Sequence, residues 1–218
     1  MLLARDNLSD VHLAIGAKKY KSGNIEGAIA SCKQALEINP ENFTASKNLS
    51  AIYTEIGVKQ YKDGDIEESI ISCKKALKFD PKNTQAVKNL SVVYIDLGTI
   101  QGKLGEFEKA AVLFEKVLEI SPENIKAKKN LSFIYFEIGV QKYKESDLGE
   151  ALLILTKALK LDPGNIKAKE ILSIIAPEFA ATITLESLIE TGVNSTEGAD
   201  IFEVPLLAGV EEGKSAEG

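Results

Sequence analysis

Histidine occurs once in this sequence and cysteine twice, and no apolar run approaches the ~18 residues that a membrane-spanning helix needs. A single histidine, His12, without any Cys-x-x-Cys leaves no ordinary metal-ligand spacing, and no metal or cofactor is expected. Phosphate-cradling glycine loops of the Gly-x-x-x-x-Gly-Lys or Gly-x-Gly-x-x-Gly type are also missing. Cys32 and Cys73 form no disulfide framework. They share one column with Phe114 and Leu155 and read as small buried hydrophobes, not nucleophiles. His12 occupies a column that otherwise holds tyrosine, a core or groove position. No enzyme active site is predicted.

A basic surplus is missing as well. The net charge is -6, and from Pro177 onward nine acidic residues face one basic residue, so residues 1–176 carry +2. Such an array lacks the footprint of a nucleic-acid binder. The N-terminus turns charged at Arg5 and Asp6 before a signal-peptide apolar segment develops, and a cytoplasmic location is the expectation. Apolar residues at 44% and charged residues at 27% are enough to build a packed core.

What the chain has in abundance is self-similarity. Pro40, Pro81, Pro122 and Pro163 lie 41 residues apart, as do Gly16, Gly57, Gly98 and Gly139. Asn42, Asn83, Asn124 and Asn165 follow each proline by two positions, and Asn-Leu-Ser recurs at Asn7, Asn48, Asn89 and Asn130. A fixed period of this length marks a repeat architecture.

Repeat two shows the logic of one unit. Asn42 is a good N-cap for a helix A over about Phe43–Lys62, in which Leu49, Ile52, Tyr53, Ile56 and Tyr61 share a face. Gly64 ends that helix in a left-handed turn, and Asp65 with Glu68 is expected to form a capping box for helix B, about Ile66–Phe79. Gly57 and its equivalents allow the two helices to approach closely. No pair can bury its apolar face alone, so neighbouring units must stack.

The positions Ile15-Gly16, Tyr20, Gly23-Asn24, Ala28, Ala35 and Pro40 resemble the tetratricopeptide repeat pattern, with seven residues added at the start of helix A relative to the usual 34-residue unit. The resemblance implies an all-α, right-handed superhelical solenoid of antiparallel helix pairs over residues 1–176. Its repeats span about 2–42, 43–83, 84–124 and 125–165, with a capping helix over 166–176 that stops at Pro177. Repeat three departs at Gly102, where the others have tyrosine, and repeat four at Ser146, where the others have the turn glycine.

The resemblance further implies a protein-interaction scaffold in which helix A lines a concave groove. Column by column, that groove holds Val92, Ile95, Phe133 and Phe136 as apolar surface and Glu55, Asp96 and Glu137 as an acidic row. The pairs Lys88-Asn89 and Lys129-Asn130 lie on the same face. The lysine and asparagine columns with which some relatives clamp a C-terminal carboxylate are unmatched: they hold Leu13, Thr54, Ile95 and Phe136, and Ala17, Val58, Thr99 and Val140. The expected partner is a protein or peptide, with no nucleic acid and no membrane insertion. Two rival readings are a self-assembling structural homo-oligomer and the adaptor region of a larger enzyme.

Residues 177–218 form an acidic C-terminal extension outside the repeats. A short helix is predicted over Thr184–Glu190, ending at Gly192, and Ile201–Leu207 is an apolar run. These clusters are expected to dock on a repeat surface, in the same chain or a neighbouring one.

Overall fold

The structure, a computed structural model, describes residues 2–191. Among these residues are nine α-helices and no strand. They are α1 (Leu2–Lys21), α2 (Ile25–Ile38), α3 (Phe43–Asp63), α4 (Ile66–Phe79), α5 (Thr84–Lys103), α6 (Phe107–Ile120), α7 (Ile125–Lys144), α8 (Leu148–Leu161) and α9 (Ile166–Thr191). The odd-numbered helices begin at residues 2, 43, 84, 125 and 166, each 41 after the last. The chain divides into two compact units, residues 1–175 and 176–218. The first is an all-α array of helix pairs. Of the second, the described part is the continuation of α9.

Local chemistry sets the helix starts. Asn42, Asn83, Asn124 and Asn165 each accept a hydrogen bond from the amide three residues on, at Ala45, Ala86, Ala127 and Ala168, with distances of 3.0 to 3.1 Å. Asn24 and Asp147 cap α2 and α8 in the same way. The capping box expected at Asp65 does not form, because Asp65 makes no side-chain cap. Its own N–H donates to the Gln60 carbonyl at 2.8 Å, which leaves Glu68 nothing to accept there. Gly23, Gly64 and Gly105 adopt φ values of 81°, 91° and 78° in the A-to-B turns, and Ser146 is forced to φ 65° at the fourth, a strain of about 1–2 kcal/mol for an L-residue.

Each pair closes over a glycine. A Cβ placed on Gly57 would lie 2.7 Å from Cys73 Sγ, and one on Gly139 would lie 2.6 Å from Leu155 Cγ. The helices therefore approach more closely than any side chain at those positions permits. Cys32 and Cys73 are this buried counter-surface, and burial pushes both thiols above their usual range.

Between repeats, Ala45, Leu49 and Ile52 of α3, with the same columns in α5 and α7, are buried against the preceding unit. Fully burying one such leucine contributes about 1.5–3 kcal/mol. In α1 nothing precedes that face among the described residues, and Leu8, Val11 and Ile15 are exposed, Leu8 by 50%. At the other end Ala168, Leu172 and Ile175 of α9 close the core around Leu155 and Ala158.

One expectation fails here. Helix α9 does not stop at Pro177 but runs through it to Thr191, so the separate short helix predicted over 184–190 is the last part of α9. An interior proline removes the bond to the carbonyl four residues back and costs about 3 kcal/mol, yet the helix formers that follow (Glu178, Ala180, Ala181) resume the helix beyond it. The remainder of the acidic extension, including Ile201–Leu207, lies outside the described residues.

Candidate protein-binding surface

Helix α3 packs against α5 and α5 against α7, whereas no two even-numbered helices make comparable contact among the described residues. Helices α3, α5 and α7 thus form a layer of their own, and repeat residues facing away from the core of that layer share one surface. One exposed apolar column on it is Ala51, Val92 and Phe133, with Val92 exposed by 41% and Phe133 by 50%. Ile174 continues this column 41 residues further and is exposed by 48%, a position that the sequence reading overlooked although the period pointed to it.

Other predicted residues are distributed differently. Lys88 and Lys129 are exposed, and Asn89 and Asn130 are half-buried. Asn89 accepts from Gln85 Nε2 at 2.8 Å, while its own amide nitrogen is buried without a partner. Ile95 is only 4% exposed and belongs to the central core cluster. Phe136 packs partly buried among residues of α8 and α9, with Lys167 Nζ 5.9 Å from its ring centroid. Ile95 and Phe136 each lie three residues beyond Val92 and Phe133, an offset of about 60° around the helix at about 100° per residue, and that step separates the free residues from the packed ones.

The acidic row is not free either. Tyr20 donates its phenolic hydrogen to Glu55, and Tyr61 donates to Asp96. These bonds hold both phenols above their ordinary range. Glu137 is the third acid of the row, and the residue in the matching tyrosine column is Gly102, so no phenol among the described residues donates to it.

A second inter-repeat device uses the capping asparagines. Their amide nitrogens reach back 33 residues to a serine: Asn42 to Ser9 at 2.8 Å, Asn83 to Ser50 at 2.8 Å and Asn165 to Ser132 at 3.0 Å. The junction between repeats three and four lacks this clasp. Ser91 donates instead to Val87 of its own helix at 2.8 Å, and the Asn124 amide has no hydrogen-bond acceptor among the described residues. Val117 stands in α6 where Ala35, Ala76 and Ala158 stand in the other repeats, and Ser9 and Ser132 donate to the carbonyls of two of those alanines.

Beside this open clasp lies a cleft of about 610 Å³. Val87, Val92, Ile95 and Ile120 supply apolar walls, Ser91 and Asn124 supply polar groups, and Lys82, Lys88 and Lys126 line it as well. A smaller cleft of about 240 Å³ between α1 and α3 is lined by Gly16, Tyr20, Asn48 and Ala51.

Among the described residues no cluster of His, Cys, Asp or Glu is arranged to hold a metal ion, and no helix is long and apolar enough to cross a membrane. The fold and this surface define a helical-repeat protein of the interaction-scaffold kind. A family model described as tetratricopeptide repeat matches residues 10–42, 50–83 and 92–124, and these three segments are tetratricopeptide repeats. A search of curated proteins finds no match. Among solved structures the chain is similar to a TPR repeats protein (BF2334) from Bacteroides fragilis NCTC 9343, at 13% identity and TM-score 0.45, over 78% of this chain and 98% of that one. MamA 41-end from Desulfovibrio magneticus RS-1 is 19% identical with TM-score 0.30, over 86% and 97% of the two chains. The first TPR domain of the human RPAP3 protein is 22% identical with TM-score 0.29, over 63% and 98%.

Proposed function

We propose that this chain is a non-enzymatic, cytoplasmic adaptor whose odd-helix layer is a concave groove that binds a peptide or helix of a partner protein. One observation carries the reading: Val92, Phe133 and Ile174, on three successive odd helices, leave half-exposed apolar side chains in one column. Truncating residues that pack in the core would confuse folding with binding, so the test uses Val92→Ala and Phe133→Ala together and leaves Phe136 intact. The intact chain and the double variant are compared in pull-downs, with circular dichroism confirming equal helicity. A partner lost from the variant alone supports the groove. Retention of every partner at unchanged affinity rejects it.

The columns used for a carboxylate clamp by some relatives hold buried Thr54 and Ile95 here, which argues against a chain-terminal carboxylate as the anchor on those helices. Self-assembly is the second reading. The half-exposed Leu8 and Val11 of α1 favour it, since their equivalents in later repeats are buried against a preceding unit. Light scattering across a concentration series separates the two.

A further inference from the structure

We infer that the cleft at the open Ser91/Asn124 junction is the specificity site of this surface, and that it takes an acidic segment of a partner protein carrying an apolar anchor residue. This rests on the reading of the odd-helix layer as the binding face and adds the chemistry of the ligand.

Three features converge on that chemistry. The cleft is walled by Val87, Val92, Ile95 and Ile120, which suits one aliphatic or aromatic side chain. Lys82, Lys88 and Lys126 contribute three cations, and none of them pairs with a carboxylate among the described residues. The acids closest in sequence are engaged elsewhere: Asp80 accepts from the Lys82 amide, Glu123 is paired with Lys128 at 2.9 Å, and Asp96 holds the Tyr61 phenol. The cleft also sits where the first turns of α5 and α7 meet, so the positive ends of two 20-residue helices add to the lysine field.

Its polar groups fit the same ligand. At the clasped junctions the asparagine amide is spent on a serine, whereas the Asn124 amide is left to donate into the cleft. Lys82 and Lys126 flank the capping asparagines Asn83 and Asn124, and Lys88 lies one turn inside α5. The donors thus surround the apolar walls, an order that matches a peptide in which carboxylates flank a buried side chain. Three lysines are too few to neutralise a nucleic-acid backbone, and the array as a whole is close to neutral.

The test is fluorescence anisotropy of the full chain with a fluorescein-labelled peptide, Gly-Asp-Asp-Leu-Phe-Glu-Asp-Gly. Two companion peptides are used, one with Asn and Gln in place of the acids and one with Ser in place of Leu and Phe. The acidic, anchored peptide is expected to bind, and each companion to bind at least about tenfold more weakly. Lys88→Glu with Lys126→Glu is expected to weaken binding by about tenfold or more, and Ser121→Tyr, which fills the cleft, to a similar extent. Lys157→Glu, on α8, is expected to change it by less than about twofold. Circular dichroism melts check that each variant folds.

Absence of saturable binding to the wild-type chain overturns the inference, as does equal binding of the neutral or anchorless peptide, equal loss in Lys157→Glu, or tighter binding of a labelled oligothymidine. These outcomes leave the adaptor reading standing if the Val92/Phe133 variant still loses its partner. Peptide binding that survives alongside unchanged partner capture by that variant rejects the adaptor groove instead.

Discussion

Tyr61 donates its phenolic hydrogen to Asp96 across the junction between repeats two and three, 35 residues ahead in sequence. Tyr20 makes the equivalent bond to Glu55 one repeat earlier. A hydrogen bond to a charged acceptor contributes about 1.5–3 kcal/mol when desolvated and less at a half-exposed site such as these. The pairs tie odd helix to odd helix directly, independent of the even helices that complete the core. At the next junction the phenol is missing, because Gly102 occupies its column.

Gly102→Tyr is therefore expected to raise the melting temperature by a few degrees. It removes roughly 0.5 kcal/mol of helix penalty and gives Glu137 a donor. The new Cβ would meet Ile134 Cδ1 at 3.0 Å, a flexible methyl that has to turn aside. Gly102→Phe serves as the control that fills the space without the phenol. A lower melting temperature for both would mean that Ile134 cannot move.

The capping asparagines separate cleanly by an Asn→Asp exchange, which keeps the cap acceptor and deletes the amide donor. Asn83→Asp should destabilise the chain by about 1–2 kcal/mol in urea, since its amide serves Ser50 and Thr54 at 2.8 and 3.0 Å. Asn124→Asp should stay within about 0.5 kcal/mol, because that amide has no acceptor to lose. Equal costs at the two positions would show that the clasp at residue 83 contributes nothing.

Alkaline pH should weaken the array through its phenols. Burial, followed by the bond to Glu115, pushes the Tyr135 phenol far above the ordinary value of 10.0, and the bond to Asp96 raises Tyr61. A phenol whose folded value is raised favours the fold fully below its unfolded value, and that contribution is lost as pH climbs through the folded one. Tyr61→Phe/Tyr135→Phe should be less stable than wild type at pH 8, and the gap should narrow by pH 11. A urea-midpoint difference that is the same at both pH values would contradict this.

Much of the fold was legible because its rules act over a few residues. The prolines, the Asn caps and the glycine turns place most helix boundaries through local sterics and single hydrogen bonds, and the odd helices begin where the 41-residue period puts them. Pro177 was misread for the same reason: a local rule predicts a stop, while the residues after it carry the helix on. The candidate surface was only partly readable. Val92 and Phe133 point outward as their column suggests, but Ile95 and Phe136, one helical turn on, are drawn into neighbouring cores.

Sequence alone determined the repeat, the helix pairs and the close glycine contacts, because period, capping and apolar spacing are properties of contiguous segments. Tertiary structure decided which partner each polar residue meets. The Asn–Ser clasp spans 33 residues and the Tyr–acid pair spans 35, so both depend on how one repeat is offset against the next. That offset comes from side-chain volume in the packed layer. At residue 117 a valine replaces alanine, Ser91 and Asn124 do not meet, and a cleft lies where the other junctions are clasped.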